Sequence, residues 1–172
     1  GIGEAAQLIA LAGPRSTTVV GVDVNQGAAV VGAARGLLRS LRVEMHVADV
    51  LTIDPTPELL ADIVVAEPPF GMQSASPASI TDPRWRYGVP PRASADAAWI
   101  QHVLAHLKPT GRGYLISARS PLARGGQEGR IRAELLKADV VRAVVGLPRK
   151  LLPNTSVPLA LWVLDGPLDP SV

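Results

Sequence analysis

Asp62-Ile63-Val64-Val65-Ala66-Glu67-Pro68-Pro69-Phe70-Gly71 is the stretch whose reading decides the fold. Its short apolar run has the length and composition of a buried strand. The proline pair ends that strand abruptly, because proline offers no N–H to a ladder. A polar side chain, rigid carbonyls and the chain's single phenylalanine therefore collect at the mouth of a sheet. That set can grip a flat ring that hydrogen-bonds at its edge.

Working outward, β-branched and apolar runs alternate with helical patterns. Residues 4–11 read as a short helix closed by Gly13-Pro14, 17–23 as a strand ending on Asp23, and 26–41 as an Ala-, Leu- and Arg-rich helix. A strand over 42–47 leads to Ala48-Asp49-Val50, and the strand over 62–66 follows. Residues 97–107 form a helical pattern stopped by Lys108-Pro109-Thr110-Gly111. Strands over 113–118, 140–146 and 159–164 flank an amphipathic helix over 126–137, and Pro148, Pro153 and Pro158 mark the last loop. Alternation of this kind predicts an α/β fold with a mostly parallel sheet covered on both faces. Residues 71–95 turn to Pro, Ser, Arg and Gly, and a loop of that length is usually a lid or a binding loop.

At 172 residues the chain is expected to form one domain over 1–172 with a sizeable core. A hydrophobic content of 47% with 19% charged residues excludes disorder, and no apolar run reaches the roughly 18 residues of a membrane helix. Gly1-Ile2-Gly3-Glu4 has neither the basic head nor the apolar stretch of a signal peptide. The absence of cysteine excludes thiol ligands and disulfides and fits a cytoplasmic protein. A net charge of +2 is too small to imply nucleic acid without clustering.

Ligands of open parallel sheets sit at the carboxyl ends of strands. Gly1-Ile2-Gly3 opens a helix and lets backbone N–H groups face an anion, although a Gly-x-Gly also marks a plain tight turn. Asp23, with Val24 beside it, suits an acceptor for ribose hydroxyls; it equally suits a helix N-cap, for which Asn25 competes. Asp49 can accept from an adenine amino group while Val50 donates its N–H, or it is a solvated turn residue. In this order the three outline a nucleoside-containing cofactor.

The fourth strand end resembles the N6-adenine DNA methyltransferases, in particular the modification subunit of type I restriction systems. The family carries Asn-Pro-Pro-Phe or Asn-Pro-Pro-Tyr there, and this chain has Glu67-Pro68-Pro69-Phe70. The likeness continues through Asp96-Ala97-Ala98-Trp99-Ile100-Gln101-His102, residues 129–135, Gly146-Leu147-Pro148 and Asn154-Thr155-Ser156-Val157-Pro158. The resemblance implies a Rossmann-like S-adenosylmethionine-dependent methyltransferase fold whose reversed last strand is 159–164. It implies S-adenosylmethionine held by Gly1, Ile2, Gly3, Asp23, Val24, Asp49, Val50 and Glu67. It also implies methyl transfer to the adenine N6 amine of DNA, with Glu67, Pro68, Pro69 and Phe70 at the reacting base. The adenine amine is a weak nucleophile because its lone pair is delocalised. Acceptors at the first motif side chain and at the next carbonyl hold its hydrogens, and Phe70 stacks on the flipped base. Expected partners are DNA, a sequence-recognition subunit and a restriction subunit.

Two departures qualify this expectation. Glu67 replaces the family's Asn; it is longer and costlier to desolvate, and if protonated it would present a donor to the amine. The family also has a strand before the glycine turn, lying between those that carry Asp23 and Glu67, and this chain starts at the turn. Either two strands then pair abnormally, another segment fills the gap, or an edge lies open. The runner-up readings are a protein-glutamine or RNA-guanine methyltransferase and a catalytically silent scaffold. His46, His102 and His106 are expected to be core or surface residues, with no metal. Arg84, Arg86 and Arg92, interleaved with Trp85 and Tyr87, suit phosphates and bases or a solvated loop. Arg119, Arg124, Arg130 and Arg132 form a second candidate basic face.

Overall fold

The β-branched run after Thr17 forms β1 (Thr18–Asp23), which pairs in parallel with β2 (Arg42–Val47), Asp23 level with Val47. The computed structural model describes residues 1–73, 81–151 and 156–168, so Asn154-Thr155, Pro153 and positions 74–80 of the long loop lie outside the described residues. The chain divides into two units, 1–57 and 58–172.

In the first unit, α1 (Glu4–Ala12) precedes β1, and α2 (Gln26–Leu38) joins β1 to β2. Asn25 caps α2, its side chain accepting the Ala28 N–H at 3.0 Å. The helix ends three residues before its apolar pattern does. Ser40 adopts φ 54°, the Leu41 N–H bonds the Gly36 carbonyl and the Ser40 N–H bonds that of Leu37. This is a Schellman ending built on a residue other than glycine.

The second unit holds a four-stranded sheet in the order β3-β4-β6-β5, comprising β3 (Ala61–Ala66), β4 (Leu107–Ala118), β5 (Val141–Gly146) and β6 (Leu159–Asp165). β3 and β4 are parallel, while β6 runs antiparallel to both β4 and β5, so the final strand is reversed as expected. Lys108-Pro109-Thr110-Gly111 does not stop the chain; it lies within β4, which absorbs it through a register shift opposite Ala61 and Ile63. Among the described residues, β1 pairs only with β2, and β3 only with β4.

The core of this unit gathers α3 (Asp96–Ala105), α4 (Gly126–Lys137) and the sheet around Ile100, Val103, Leu104, Leu115, Ile131, Leu135, Trp162 and Leu164. α3 is buried on most sides, as expected of a helix with few polar positions. It lies so close to β4 that a Cβ on Gly113 would come within 2.6 Å of Val103. Trp162 is enclosed with its indole N–H donated to Ser117 Oγ at 3.0 Å, which satisfies its one polar atom. No helix among the described residues is long and apolar enough to cross a membrane.

Candidate functional site

In the first unit Gly3 precedes α1, Asp23 closes β1, and Asp49 follows the end of β2 by two residues. Gly3 caps α1 at φ 68° and ψ 22° without a side-chain bond, a left-handed conformation natural to glycine. The N–H groups of the first helical turn have no helical acceptor and carry the positive end of the dipole.

Three residues that the sequence reading passed over hold this turn. Gln7 is fully buried; its Nε2 donates to the Gly32 carbonyl at 2.8 Å and its Oε1 accepts from Arg39 at 3.2 Å. Glu4 pairs with Arg39 at 2.8 Å and with Arg35. A Cβ on Gly32 would come within 3.2 Å of the Ile2 carbonyl oxygen. The mouth of α1 is therefore set by α2 as much as by its own glycines. A buried Gln on an apolar helix face was the available signal.

Asp23 stands at the end of β1, with its Oδ1 accepting the Asn25 N–H at 2.6 Å and its Oδ2 contacting the Gly1 amino group. Burial pushes its carboxyl up, but those two hydrogen bonds outweigh it and hold Asp23 below the ordinary carboxylate range. Because Asn25 caps α2, Asp23 is not spent on that task. A carboxylate has roughly four lone-pair positions, so it can accept further donors. Val24 is exposed. Asp49, also exposed, accepts the Leu51 N–H at 3.1 Å and the Thr52 hydroxyl at 2.9 Å. It therefore organises its own turn while keeping acceptor capacity, and Val50 beside it is buried. This chemistry fits a nucleoside with vicinal hydroxyls and a carboxylate-bearing tail.

In the second unit, β3 delivers Glu67 exposed, Pro68 buried, Pro69 exposed and Phe70 half-buried, and Gly71 turns the chain at φ 67°. The Met72 carbonyl then accepts the Ala95 N–H at 2.9 Å, which ties the exit of the motif to the start of α3. Asp96, at that start, accepts from Ser94 Oγ at 2.9 Å and lies 3.4 Å from Arg124. Burial raises its carboxyl above the usual range, the Ser94 bond and Arg124 offsetting only part.

The described part of the long loop is pinned rather than solvated. Gln101 of α3, fully buried, accepts the Tyr87 N–H and donates to the Gly88 carbonyl, each at 2.9 Å. Gln127 of α4 donates to the Val89 carbonyl. Arg84 is buried, paired with Asp82 at 2.7 Å, 3.2 Å from His102 Nδ1 and stacked 4.8 Å from the Trp85 ring centroid. Desolvation raises Asp82, but the Arg84 hydrogen bonds and charge outweigh it and leave the carboxyl lowered. Arg84 and Trp85 are thus internal struts, which corrects their reading as phosphate- and base-binding residues; Arg86 and Arg92 stay exposed.

His106 Nδ1 lies 2.8 Å from the Leu59 carbonyl, its ring meets that of His102 edge-on at 4.7 Å, and His46 Nε2 lies 3.0 Å from Glu44. Of the second basic set, Arg124 is engaged with Asp96 and Glu128 and Arg132 with the Pro121 carbonyl at 2.8 Å, while Arg119 and Arg130 are exposed.

Comparison with known proteins bears on this arrangement. The N-6 DNA Methylase family matches residues 6–167. The type I restriction enzyme HindI methylase subunit of Haemophilus influenzae is 38% identical over 106 residues, 60% of this chain and 24% of its own. The MjaIX methylase subunit of Methanocaldococcus jannaschii is 33% identical over 135 residues, 74% of this chain and 24% of its own. The crystal structure of a type I restriction-modification methyltransferase subunit from Streptococcus thermophilus superposes with a TM-score of 0.83 at 29% identity, covering 89% of this chain and 35% of that one. The chain thus spans about a quarter of the length of the curated relatives it matches. Its fold is that of the S-adenosylmethionine-dependent methyltransferases, and the chain belongs to the N-6 DNA methylase family.

Proposed function

We propose that residues 1–172 act as one methyltransferase domain of a restriction-modification system, transferring a methyl group from S-adenosylmethionine to the N6 amine of adenine in DNA. The observation that carries this reading is the Pro68-Pro69-Phe70 segment at the carboxyl end of β3, in a chain of this family. Gly1, Ile2 and Gly3, with Asp23, Val24, Asp49 and Val50, would hold the cofactor. The ribose hydroxyls would donate to Asp23 and the adenine amine to Asp49, and the mouth of α1 would face the cofactor's carboxylate. When bound, S-adenosylmethionine supplies an electrophilic methyl group on a sulfonium.

The other residues act on the acceptor. The Pro68 carbonyl and the Glu67 carboxylate would accept the two amine hydrogens, drawing the nitrogen away from planarity and freeing its lone pair. Phe70 would stack on the flipped base. Orientation of the amine supplies most of the rate enhancement. A sequence-recognition subunit would choose the site on DNA and a restriction subunit would share the assembly, in the cytoplasm.

Glu67 favours a second reading, a silent domain that keeps the fold and contacts DNA or partner subunits. Labelled S-adenosylmethionine offered with separate DNA, RNA and protein pools tests the first. N6-methyladenine in the DNA is the expected product, and label only in RNA or protein refutes it. Calorimetry that finds no cofactor binding while DNA association persists supports the silent domain.

A further inference from the structure

The charges of the second unit are sorted by sheet end. At the amino ends of the parallel strands each cation has an acid: Lys108 with Asp62 at 2.9 Å, Arg112 with Asp165 at 2.9 Å, and Arg142 with Asp165 at 3.5 Å. At the carboxyl ends the pattern reverses. Arg119 follows β4, and Arg149 and Lys150 follow β5; all three are exposed, and none forms a side-chain hydrogen bond or ion pair with a described residue. The acid that closes a strand at this end is Glu67, after β3.

Register places side by side the strand ends that these cations follow. Ser117 and Gly146 are both level with Ala160, so the ends of β4 and β5 lie side by side with β6 between them, about 10 Å apart at normal strand spacing. Arg119 bridges that interval: its Cζ would lie 3.7 Å from a Cβ on Gly146, and its own N–H is anchored on the Pro158 carbonyl at 2.8 Å. Lys150 takes φ 58°, an uncommon conformation for a long side chain, at the turn beyond Arg149. On the other side of β4, Ala66 is level with Leu115, which puts Glu67-Pro68-Pro69-Phe70 on the same rim.

We infer that Arg119, Arg149 and Lys150 form a phosphate-binding rim that grips the DNA backbone beside the base presented to Pro68 and Phe70; this rests on the proposed DNA reading. Extruding a base requires its flanking phosphates to be held, and guanidinium groups match phosphate oxygens in pairs. Arg84, Arg124 and Arg132 do not belong to the rim, because their charges or donors are already engaged inside the unit.

The test is fluorescence anisotropy of a labelled, adenine-containing duplex across a salt series, using the chain and Arg119→Gln/Arg149→Gln/Lys150→Gln. The slope of log K against log salt is negative, and each lost phosphate contact makes it shallower by about 0.9, so the triple variant's slope should be shallower by about 2.7. A charge-matched control, Arg15→Gln/Arg42→Gln/Lys137→Gln, should leave the slope within about one contact of the parent's. Single variants, each with a slope shallower by about 0.9, keep the test decisive if the triple variant does not fold. Parent binding with an unchanged slope in the rim variants overturns the rim and leaves the DNA reading standing. A parent that does not bind DNA overturns both.

Discussion

Replacing Gln101 by leucine should loosen the loop that Gln101 braces and destabilise the second unit by about 2–4 kcal/mol. Gln101 is fully buried, and its amide spans the Tyr87 N–H and the Gly88 carbonyl at 2.9 Å each. Leucine preserves volume but strands one donor and one acceptor. Each such orphan costs about 1–3 kcal/mol if it stays dry, and leucine's extra apolar surface offsets a fraction. Urea denaturation followed by tryptophan fluorescence isolates the effect, because Trp85, Trp99 and Trp162 all lie in the second unit. At an m-value of about 2 kcal/mol/M the midpoint should fall by about 1–2 M. Gln101→Glu keeps an acceptor for Tyr87 but sets carboxylate oxygen against the Gly88 carbonyl, so it should be at least as damaging. A midpoint within about 0.2 M of the parent in both variants would refute the bracing argument.

Three further outcomes follow from the same geometry. The lowered carboxyl of Asp82 supplies stability that is present above its ordinary value of 3.8 and lost as pH falls through its folded range. Thermal melts of Asp82→Asn should therefore lie furthest below the parent near neutrality and converge with it in acid; a gap independent of pH would contradict the assignment. Gly32→Ala sets a methyl against the Ile2 carbonyl while gaining about 1 kcal/mol of helix propensity, so cofactor affinity by calorimetry should drop about tenfold with little change in melting temperature. Equal affinity would mean that α2 does not set the glycine turn. Glu67→Asn, carrying the family residue, should raise DNA methylation at least tenfold if the carboxylate is inhibitory, and an unchanged rate would release Glu67 from that role.

The strands were legible because runs such as Thr18–Asp23 and Leu159–Asp165 combine β-branched and apolar residues, with turn residues on either side. The end of α2 was not. Leu37 and Leu38 continue the helical pattern, and the stop is a backbone arrangement at Ser40, where no glycine announces it. Lys108–Gly111 misled for the opposite reason: Pro and Gly normally interrupt, yet here a register shift lets β4 carry both. At the site, the strand-end acids and the Pro-Pro-Phe run declared themselves through type and order. Gln7, Gln101 and Arg84 did not, because a polar letter reads as surface until its partners are known. Those partners are a distant carbonyl and a guanidinium for Gln7, a loop amide and carbonyl for Gln101, and a neighbouring acid for Arg84.

The placement of β6 has a consequence for how the second unit is made. β6 is the only described strand that bonds β5, and it is also the link between β5 and β4. During synthesis the 141–146 segment leaves the ribosome with no partner, while β3 and β4 can already pair. Sheet closure waits for residues 159–165 to enter between them, a ladder that joins Arg112 to Asp165 across the whole of α4. Until then β4 offers an open edge lined by Leu115 and Ser117, and any nascent chain stalled before Leu159 is a candidate for association through it. Quality control of this protein should accordingly discriminate most sharply at β6, where a few residues separate a sheet with an exposed centre from a closed one.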